Sequence, residues 1–493
     1  MKREILIKHL MGETRLALLE DGELAEMYTE RMGQEKLSGN VYVGRVENIL
    51  PGMNAAFVDI GLEKNGFLYA GDIMLDTRGE AELAARLSSQ RIENLLHRGQ
   101  QILVQVVKEP GGTKGPRVSS HVTLPGRKLV LLPTVRYCGV SKRIEEDEER
   151  FRLRSIAEEL CAENGMGLIV RTAARDASRE ELSREFGMLR RLWEGISHLE
   201  SHVIAPKLIH RDDSLIYRAV RDMLDEDTMA IRTESEEIAK ILRAVAETLT
   251  PEYAGRIVRY EGDVPLFDLY RVDSQAEKAL ARKVWLKSGG YLVLDETEAL
   301  TVIDVNTGKF VGKKSLSETV YRTNCEAAKE IARQLRLRDI GGIIVIDFID
   351  MDLPEQRDSL LEVFRESMKS DRNRTNIAGL TSLGLLEMTR KKVRQPLSKQ
   401  LMHCCDACGG SGHVPTYETV ARKILRDLYR RRDGGVLLVD APAAAATVLL
   451  GIGAPRGVSA YVYPNPARQG EDYEISPADM ASLPKKAQML KQG

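Results

Sequence analysis

The sequence predicts a multidomain protein of mixed α/β class with a small β-barrel near its N-terminus. Three observations lead there. The chain has 493 residues, several times the ~100–200 of a typical domain, so about three to five units are expected. From Gly39 onward, short apolar runs punctuated by Gly and Pro follow one another closely, the pattern of a small barrel. Between residues 280 and 400 strand-like runs alternate with a long helical one, the βαβ rhythm of an α/β unit.

Composition narrows the class. Hydrophobic residues at 43% and charged residues at 29% exclude wholesale disorder, collagen-like chains and disulfide scaffolds. Lys+Arg 72 against Asp+Glu 73 leaves a net charge of -1, so a polyanion would have to meet a local basic patch and not the overall field. Six cysteines are too sparse for a disulfide framework, and the crowding of Cys404, Cys405 and Cys408 suggests a metal in a reducing compartment. Lys8 and His9 interrupt the apolar N-terminal residues, so no signal peptide is expected. The most apolar window, residues 436–454, contains Asp440 and Pro442 and falls short of the ~20 unbroken residues of a membrane span. A soluble, cytoplasmic protein is expected.

Residues 1–37 read as short alternating strands around 4–8 and 15–20, with a turn at Gly12. The barrel strands are expected at 41–46, 54–61, 66–69 and 101–108. In the second of these, a period of two puts Ala55, Phe57 and Asp59 on one face and Ala56, Val58 and Ile60 on the other. A Phe that shares a face with an acid suggests the wet side. Phe67 and Tyr69 share a face likewise, and Lys108, Lys114 and Arg117 lie in or beside the glycine-rich stretch 111–117. Aromatic platforms beside cations suit single-stranded nucleic acid, because bases stack and phosphates pair. The alternative is that both Phe side chains are barrel core.

Residues 126–215 mix a strand at 167–172 with a charged helix near 180–193. Arg171 with Thr172, and Arg143 after Ser141 and Lys142, place cations beside hydroxyls; a guanidinium fork with a neighbouring donor suits a monophosphate, although such pairs are also ordinary surface residues. Residues 216–280 read as largely helical around 238–249. In the α/β segment, Asp304 and Asn306 project to one side of a strand, and the apolar run from Gly341 ends on Asp347, with Asp350 just beyond. Two acids and an amide at strand ends suit Mg²⁺ and metal-assisted phosphodiester hydrolysis, or else are structural caps. A helix is expected near 317–337.

The loop from His403 to His413 holds one C-x2-C, Cys405 and Cys408, half of the four ligands a structural Zn²⁺ takes. His403, Cys404 or His413 could complete it, or a second chain could supply its own pair across a two-fold axis. A basic helix at 420–432 and an Ala-rich α/β tail end the chain.

Longer stretches carry a family resemblance. Gly39-Asn-Val-Tyr-Val-Gly-Arg-Val, Leu50-Pro-Gly-Met-Asn-Ala-Ala-Phe-Val-Asp-Ile-Gly, Gly66-Phe-Leu and Gly112-Thr-Lys-Gly resemble the S1 RNA-binding domain, an OB-fold, of the ribonuclease E/G family. Thr301-Val-Ile-Asp-Val-Asn-Thr-Gly, Arg333-Gln-Leu-Arg-Leu-Arg, Gly341-Gly-Ile-Ile-Val-Ile-Asp-Phe-Ile-Asp-Met and Gly384-Leu-Leu-Glu-Met-Thr-Arg are similar to its DNase I-like catalytic subdomain. The resemblance implies an arrangement of domains: 1–38 and 216–279 as two parts of an RNase H-like unit, 39–125 as the S1 domain and 126–215 as a 5′-sensor. It further implies 280–400 as the catalytic subdomain, 401–415 as a zinc link and 416–493 as a small C-terminal domain.

The resemblance also implies roles. Asp304 and Asp347 would hold the catalytic Mg²⁺, assisted by Asn306, and Phe57, Phe67 and Lys114 would contact RNA. Arg171 and Thr172, with Gly126, Val130, Arg143 and Arg374 around them, would grip a 5′-monophosphate. Cys405 and Cys408 would share a zinc between subunits of a homodimer or homotetramer; Asp406, where Pro often stands in the family, and the extra Cys404 are departures from its pattern. The implied activity is Mg²⁺-dependent endonucleolytic cleavage of single-stranded RNA in rRNA maturation and mRNA turnover, stimulated by a 5′-monophosphate and leaving 5′-phosphate and 3′-hydroxyl ends. Its competitor is a nonenzymatic RNA-binding assembly protein. With 493 residues the chain is expected to be nearer the family's shorter branch, without a long disordered scaffold.

Overall fold

The computed structural model describes residues 2–33, 36–73, 91–110, 114–212, 214–308, 316–431 and 435–492. Gly111, Gly112 and Thr113 of the glycine-rich stretch lie outside the described residues. The chain divides into two units, residues 1–397 and 398–493.

The larger unit holds four sheets. The first is five-stranded and draws Arg3–Leu10, Glu13–Glu20 and Glu23–Arg31 from the N-terminus and Thr228–Thr233 and Ile257–Arg259 from more than 200 residues away. Asp21 and Gly22 turn the second strand into the third with positive φ of 49° and 84°, the conformation that short polar residues and glycine tolerate. Residues 216–280 are largely helical, as expected, with Glu236–Leu249 their longest helix, and they also supply two strands. Their short Thr-, Ile- and Val-containing runs gain strand partners only by parallel pairing with the N-terminal strand and with each other, a contact that no local pattern announces.

The second sheet is the barrel. Val41–Leu50 pairs with Ala55–Asp59 and Gln101–Lys108, Gly66–Tyr69 bridges to Arg117–Ser119, and Arg117–Ser119 pairs with Gln101–Lys108, which closes five strands. Ala56, Val58 and Ile60 lie in the barrel core, whereas Phe57 and Asp59 are only half-buried. The period of two therefore holds, and Phe57 faces outward.

The third sheet has Cys138–Val140 parallel to Gly167–Val170, which pairs with Leu129–Leu132. Helices Asp147–Asn164 and Arg179–Glu200 add buried Leu153, Leu160, Leu182 and Phe186 to its core. The second helix starts at Ser178, whose hydroxyl accepts from Glu181 N while the Glu181 carboxylate accepts from Ser178 N, a reciprocal cap that satisfies two otherwise orphaned donors. The Cys138 and Cys161 sulfurs come together where helix Asp147–Asn164 packs on strand Cys138–Val140. The cysteine count does not anticipate this pair, because only the packing of helix on strand brings together residues 23 positions apart.

The fourth sheet runs in the order Lys283–Trp285, Tyr291–Glu296, Leu300–Asn306, Gly342–Asp347, Leu385–Arg390, Thr375–Leu380. One face, with Leu292, Leu294, Ile303, Val305, Ile344 and Ile346, is buried under helices Leu316–Leu337 and Pro354–Met368. The other face is uncovered and carries the acids.

The smaller unit is a four-stranded sheet with helices Tyr417–Arg430 and Ala443–Ile452 around a core that includes Val439, Leu449 and Val462. The apolar window expected to be core is a strand followed by this second helix. Among the described residues, no helix is long and apolar enough to cross a membrane.

Candidate active site

Asp304 and Asp347 are direct partners across neighbouring parallel strands, and both are exposed on the open face. Asn306 donates its amide Nδ2 to Asp304 Oδ2 at 2.7 Å, so the residue two positions on fixes the carboxylate's orientation. Partial burial and the nearby charges of Asp304 and Asp350 push the Asp347 carboxyl above its usual range. Like charges held this close repel, and a hard cation relieves that cost. The donor set, two exposed carboxylates at paired positions of neighbouring strands, fits Mg²⁺, which usually takes one or two carboxylates and keeps several waters.

The loop after Asp347 is held from beneath. Asn324, fully buried in helix Leu316–Leu337, donates to Ile349 O at 2.8 Å and accepts from Ile349 N at 3.1 Å, and Arg357 donates to Met351 O at 2.7 Å. Asn324 is a positioning residue that sequence reasoning passed over; its signal is an amide on the buried face of an amphipathic helix.

The arginines of the Arg333-Gln-Leu-Arg-Leu-Arg stretch are structural. Arg336 pairs with Glu20 at 2.9 Å and Glu26 at 2.8 Å, Arg333 donates to Leu24 O at 2.8 Å, and Arg338 donates to Ala281 O at 2.8 Å. Arg333 and Arg336 fasten helix Leu316–Leu337 to the first sheet, and Arg338 ties its end to the segment that leads into the fourth.

On the barrel, Phe57 is opposite Phe67, Phe67 is opposite Arg117, and Arg117 is opposite Lys108. Two aromatics and two cations thus form one row across four strands. The Phe57 and Phe67 rings meet edge to face at 5.6 Å, and Tyr69 extends the cluster at 4.7 Å from Phe67. Arg117 stacks over Tyr69 at 4.8 Å while paired with Asp72. Lys114 is exposed on the approach to this row.

In the third sheet, Arg171 and Thr172 directly follow the strand Gly167–Val170, and Val130 is opposite Ile169 in the adjoining strand. The Ser141 hydroxyl lies 3.0 Å from that of Thr172. A Cβ at Gly126 would displace the Glu185 carboxylate, which accepts from Lys128 N at 2.9 Å. The fork of Arg171 is engaged, donating to the Gly126 carbonyl and to Asp222 Oδ1 at 2.8 Å. Asp222 also holds Arg221 at 2.8 Å. Nothing in the sequence near Arg171 points to Asp222, which approaches from 51 positions away. Arg143 donates to the carbonyls of Asp371 and Arg372 at 2.8 and 3.3 Å, so it tethers the loop that leads to Arg374 beside the sheet.

In the cysteine loop, Gly410 and Gly412 take positive φ of 91° and 74°, which lets the chain fold back on itself. Hydrogen bonds from the backbone at Gly412 and Gly410, and then from Cys405, lower the Cys408 thiol's pKa, favouring the thiolate a metal binds. Cys405 and Cys408 are thus together. Among the described residues no three His, Cys, Asp or Glu side chains gather as a metal site. Two adjacent thiols fit half of a tetrahedral zinc site.

An acid-bearing α/β sheet and a barrel lined with aromatics and cations, in one chain, are the equipment of a nucleic-acid-binding enzyme. Residues 123–393, over half of the chain, match the Ribonuclease E/G family. The chain is 44% identical over 428 residues to Ribonuclease G of Haemophilus influenzae, covering 87% of each chain. It is 42% identical over 455 residues to Ribonuclease G of Escherichia coli, covering 92% of this chain and 93% of that one. Over 413 residues it is 40% identical to Ribonuclease E of a Nostoc species, covering 81% of this chain and 59% of the longer relative. It belongs to the ribonuclease E/G family.

Proposed function

We propose that this chain is a Mg²⁺-dependent endoribonuclease that cuts single-stranded RNA in RNA processing and decay, rRNA maturation and mRNA turnover included. It is an enzyme that hydrolyses RNA, as its relatives' names state of them. The observation that carries the finer reading is the direct pairing of Asp304 with Asp347 on an open sheet face. Mg²⁺ held there would polarise the phosphate and activate water for attack on phosphorus, leaving 5′-phosphate and 3′-hydroxyl ends. Asp304 and Asp347 would hold the cation, and Asn306 keeps Asp304 oriented. Phe57 and Phe67 stack unpaired bases while Lys114, Lys108 and Arg117 meet the backbone, which selects single strands. On the same reading, the first sheet is RNase H-like, the barrel is an S1 domain of the OB type, the third sheet is the 5′-sensor and the fourth is DNase I-like. The location that goes with it is the cytoplasm.

The test is cleavage of a labelled oligonucleotide with and without Mg²⁺, with a DNA strand of the same sequence as control. Mg²⁺-dependent cutting of RNA alone supports the reading. RNA binding without cutting would favour an assembly protein, and equal cutting of DNA a general nuclease.

The 5′ end enters the same assay. A 5′-monophosphate would compete with Asp222 for the Arg171 fork, with Thr172 and Ser141 adding hydroxyls and Gly126, Val130, Arg143 and Arg374 shaping the surroundings. Monophosphorylated RNA should be cut faster than hydroxyl-ended RNA. Arg171→Ala should remove that preference, a loss on the order of tenfold to a hundredfold for one charge-assisted contact, while Asp222 keeps its pairing with Arg221. Equal slowing on both substrates would make Arg171 a general or folding contact.

Zinc would join two subunits through Cys405 and Cys408, giving a homodimer or a homotetramer. About one zinc for every two chains is expected from four-thiolate geometry, and Cys405→Ser should yield monomers by light scattering. A ratio near one per chain would move the site within a single chain.

A further inference from the structure

The uncovered face of the fourth sheet continues beyond the acids. Tyr291 is the direct partner of Asn306, and Trp285 is the direct partner of Tyr291. All three side chains therefore project to the side that carries Asp304 and Asp347. Two strand spacings put the backbone of Trp285 about 10 Å from that of Asn306. Trp285 is 64% exposed, although such a ring ordinarily seeks cover. It meets Tyr291 edge to face at 5.3 Å, and Lys283 Nζ lies 4.1 Å from the Trp285 ring centre and 3.4 Å from that of Tyr291. Two aromatic rings and one cation form a small platform level with the acids. Nothing in the fold of this sheet needs the tryptophan, since the buried face is filled by Leu292, Leu294, Ile303 and Val305.

We infer that Lys283, Trp285 and Tyr291 form a nucleobase-stacking subsite that holds the base of a nucleotide neighbouring the scissile phosphate in single-stranded RNA. The inference rests on the ribonuclease reading and extends it. A polynucleotide whose reacting phosphate sits over Asp304 and Asp347 must continue along this face in at least one direction, and toward the sheet edge it passes Val293 and meets Lys283 with the two rings beside it. Stacking on an aromatic face is available to every base, and the lysine beside the rings pairs with the phosphate that accompanies it. The barrel's Phe57 and Phe67 are a separate stacking surface on another sheet. The subsite would therefore set where the strand lies relative to the acids, not whether it is captured at all.

The chain has two tryptophans, Trp193 and Trp285, so Trp193→Phe leaves Trp285 as the sole indole reporter. In that variant, without added Mg²⁺, single-stranded RNA should quench the emission, and a strand of the same length with an abasic nucleotide at the contacted position should not. Trp285→Ala should slow Mg²⁺-dependent cutting of the intact strand on the order of tenfold, Trp285→Phe should restore part of it, and the abasic strand should be cut at one rate by all three proteins. Emission indifferent to RNA, or equal quenching by intact and abasic strands, would overturn the subsite. Emission that responds to protein dilution but not to RNA would mean that a second copy of the chain covers the ring. Wild-type protein that cuts RNA in the same preparation keeps those failures distinct from failure of the ribonuclease reading, which would show as no cutting by any variant.

Discussion

Replacing Asp304 or Asp347 by Asn should abolish cleavage while RNA affinity stays within a few-fold of wild type. The two acids occupy paired positions on neighbouring parallel strands, and an amide in place of either removes a charge that a divalent cation needs. Metal stabilisation of a phosphoryl transition state is worth several kcal/mol, so a loss on the order of a thousandfold or more is expected. Binding should survive because the aromatic and cationic row on the barrel belongs to another sheet. Each substitution also relieves like-charge repulsion around Asp347, so stability should hold or rise slightly, and thermal melting would show that lost activity is not lost fold. Substantial cleavage by either variant would move the metal to other acids, with Asp350 the first to test.

Replacing Glu26 by Ala should destabilise the larger unit more than any surface change. Burial alone would raise this carboxyl, but Arg372, Arg336 and the Tyr28 hydroxyl outweigh it and hold the pKa at about 2. Its side chain is 6% exposed and that of Arg336 is 5% exposed. Arg336 keeps Glu20 at 2.9 Å, but Arg372 loses the carboxylate it faces at 3.8 Å, and removing one partner of a buried ion pair costs roughly 3–5 kcal/mol. The sign with pH follows from the depressed pKa: the contribution is whole above the ordinary value of 4.5 and fades as pH falls from there toward about 2. Urea midpoints of wild type and Glu26→Ala should therefore lie far apart at neutral pH and converge in acid. A gap that is small at neutral pH, or that does not close in acid, would mean that the pair is not the clamp between helix Leu316–Leu337 and the first sheet that its geometry describes.

Much of the candidate site was readable because its signals are local. The alternation in residues 55–60 already put Phe57 opposite the core set of Ala56, Val58 and Ile60, and the structure keeps that division. The i,i+2 spacing placed Asp304 and Asn306 together, and the hydrogen bond between them follows from it. Glycines directly follow Cys408 in the chain, and Gly409, Gly410 and Gly412 take the positive φ that folds this loop back. These readings need only the period of a strand or the conformational freedom of glycine.

What the sequence by itself determined is which short stretches alternate, which turn and which carry chemistry: a barrel's strands, an acid at the end of an apolar run, a pair of thiols in a flexible loop. The tertiary structure alone decided who meets whom. It set Asp304 opposite Asp347, paired Arg171 with Asp222, brought Cys138 beside Cys161, and made the Arg333–Arg338 arginines into fasteners on Glu20, Leu24, Glu26 and Ala281. It also made strands of Thr228–Thr233 and Ile257–Arg259. The reason is range. Backbone periodicity acts over a few residues, whereas a buried charge takes whichever opposite charge the packing delivers, and Arg336 and Glu26 are 310 positions apart in the chain.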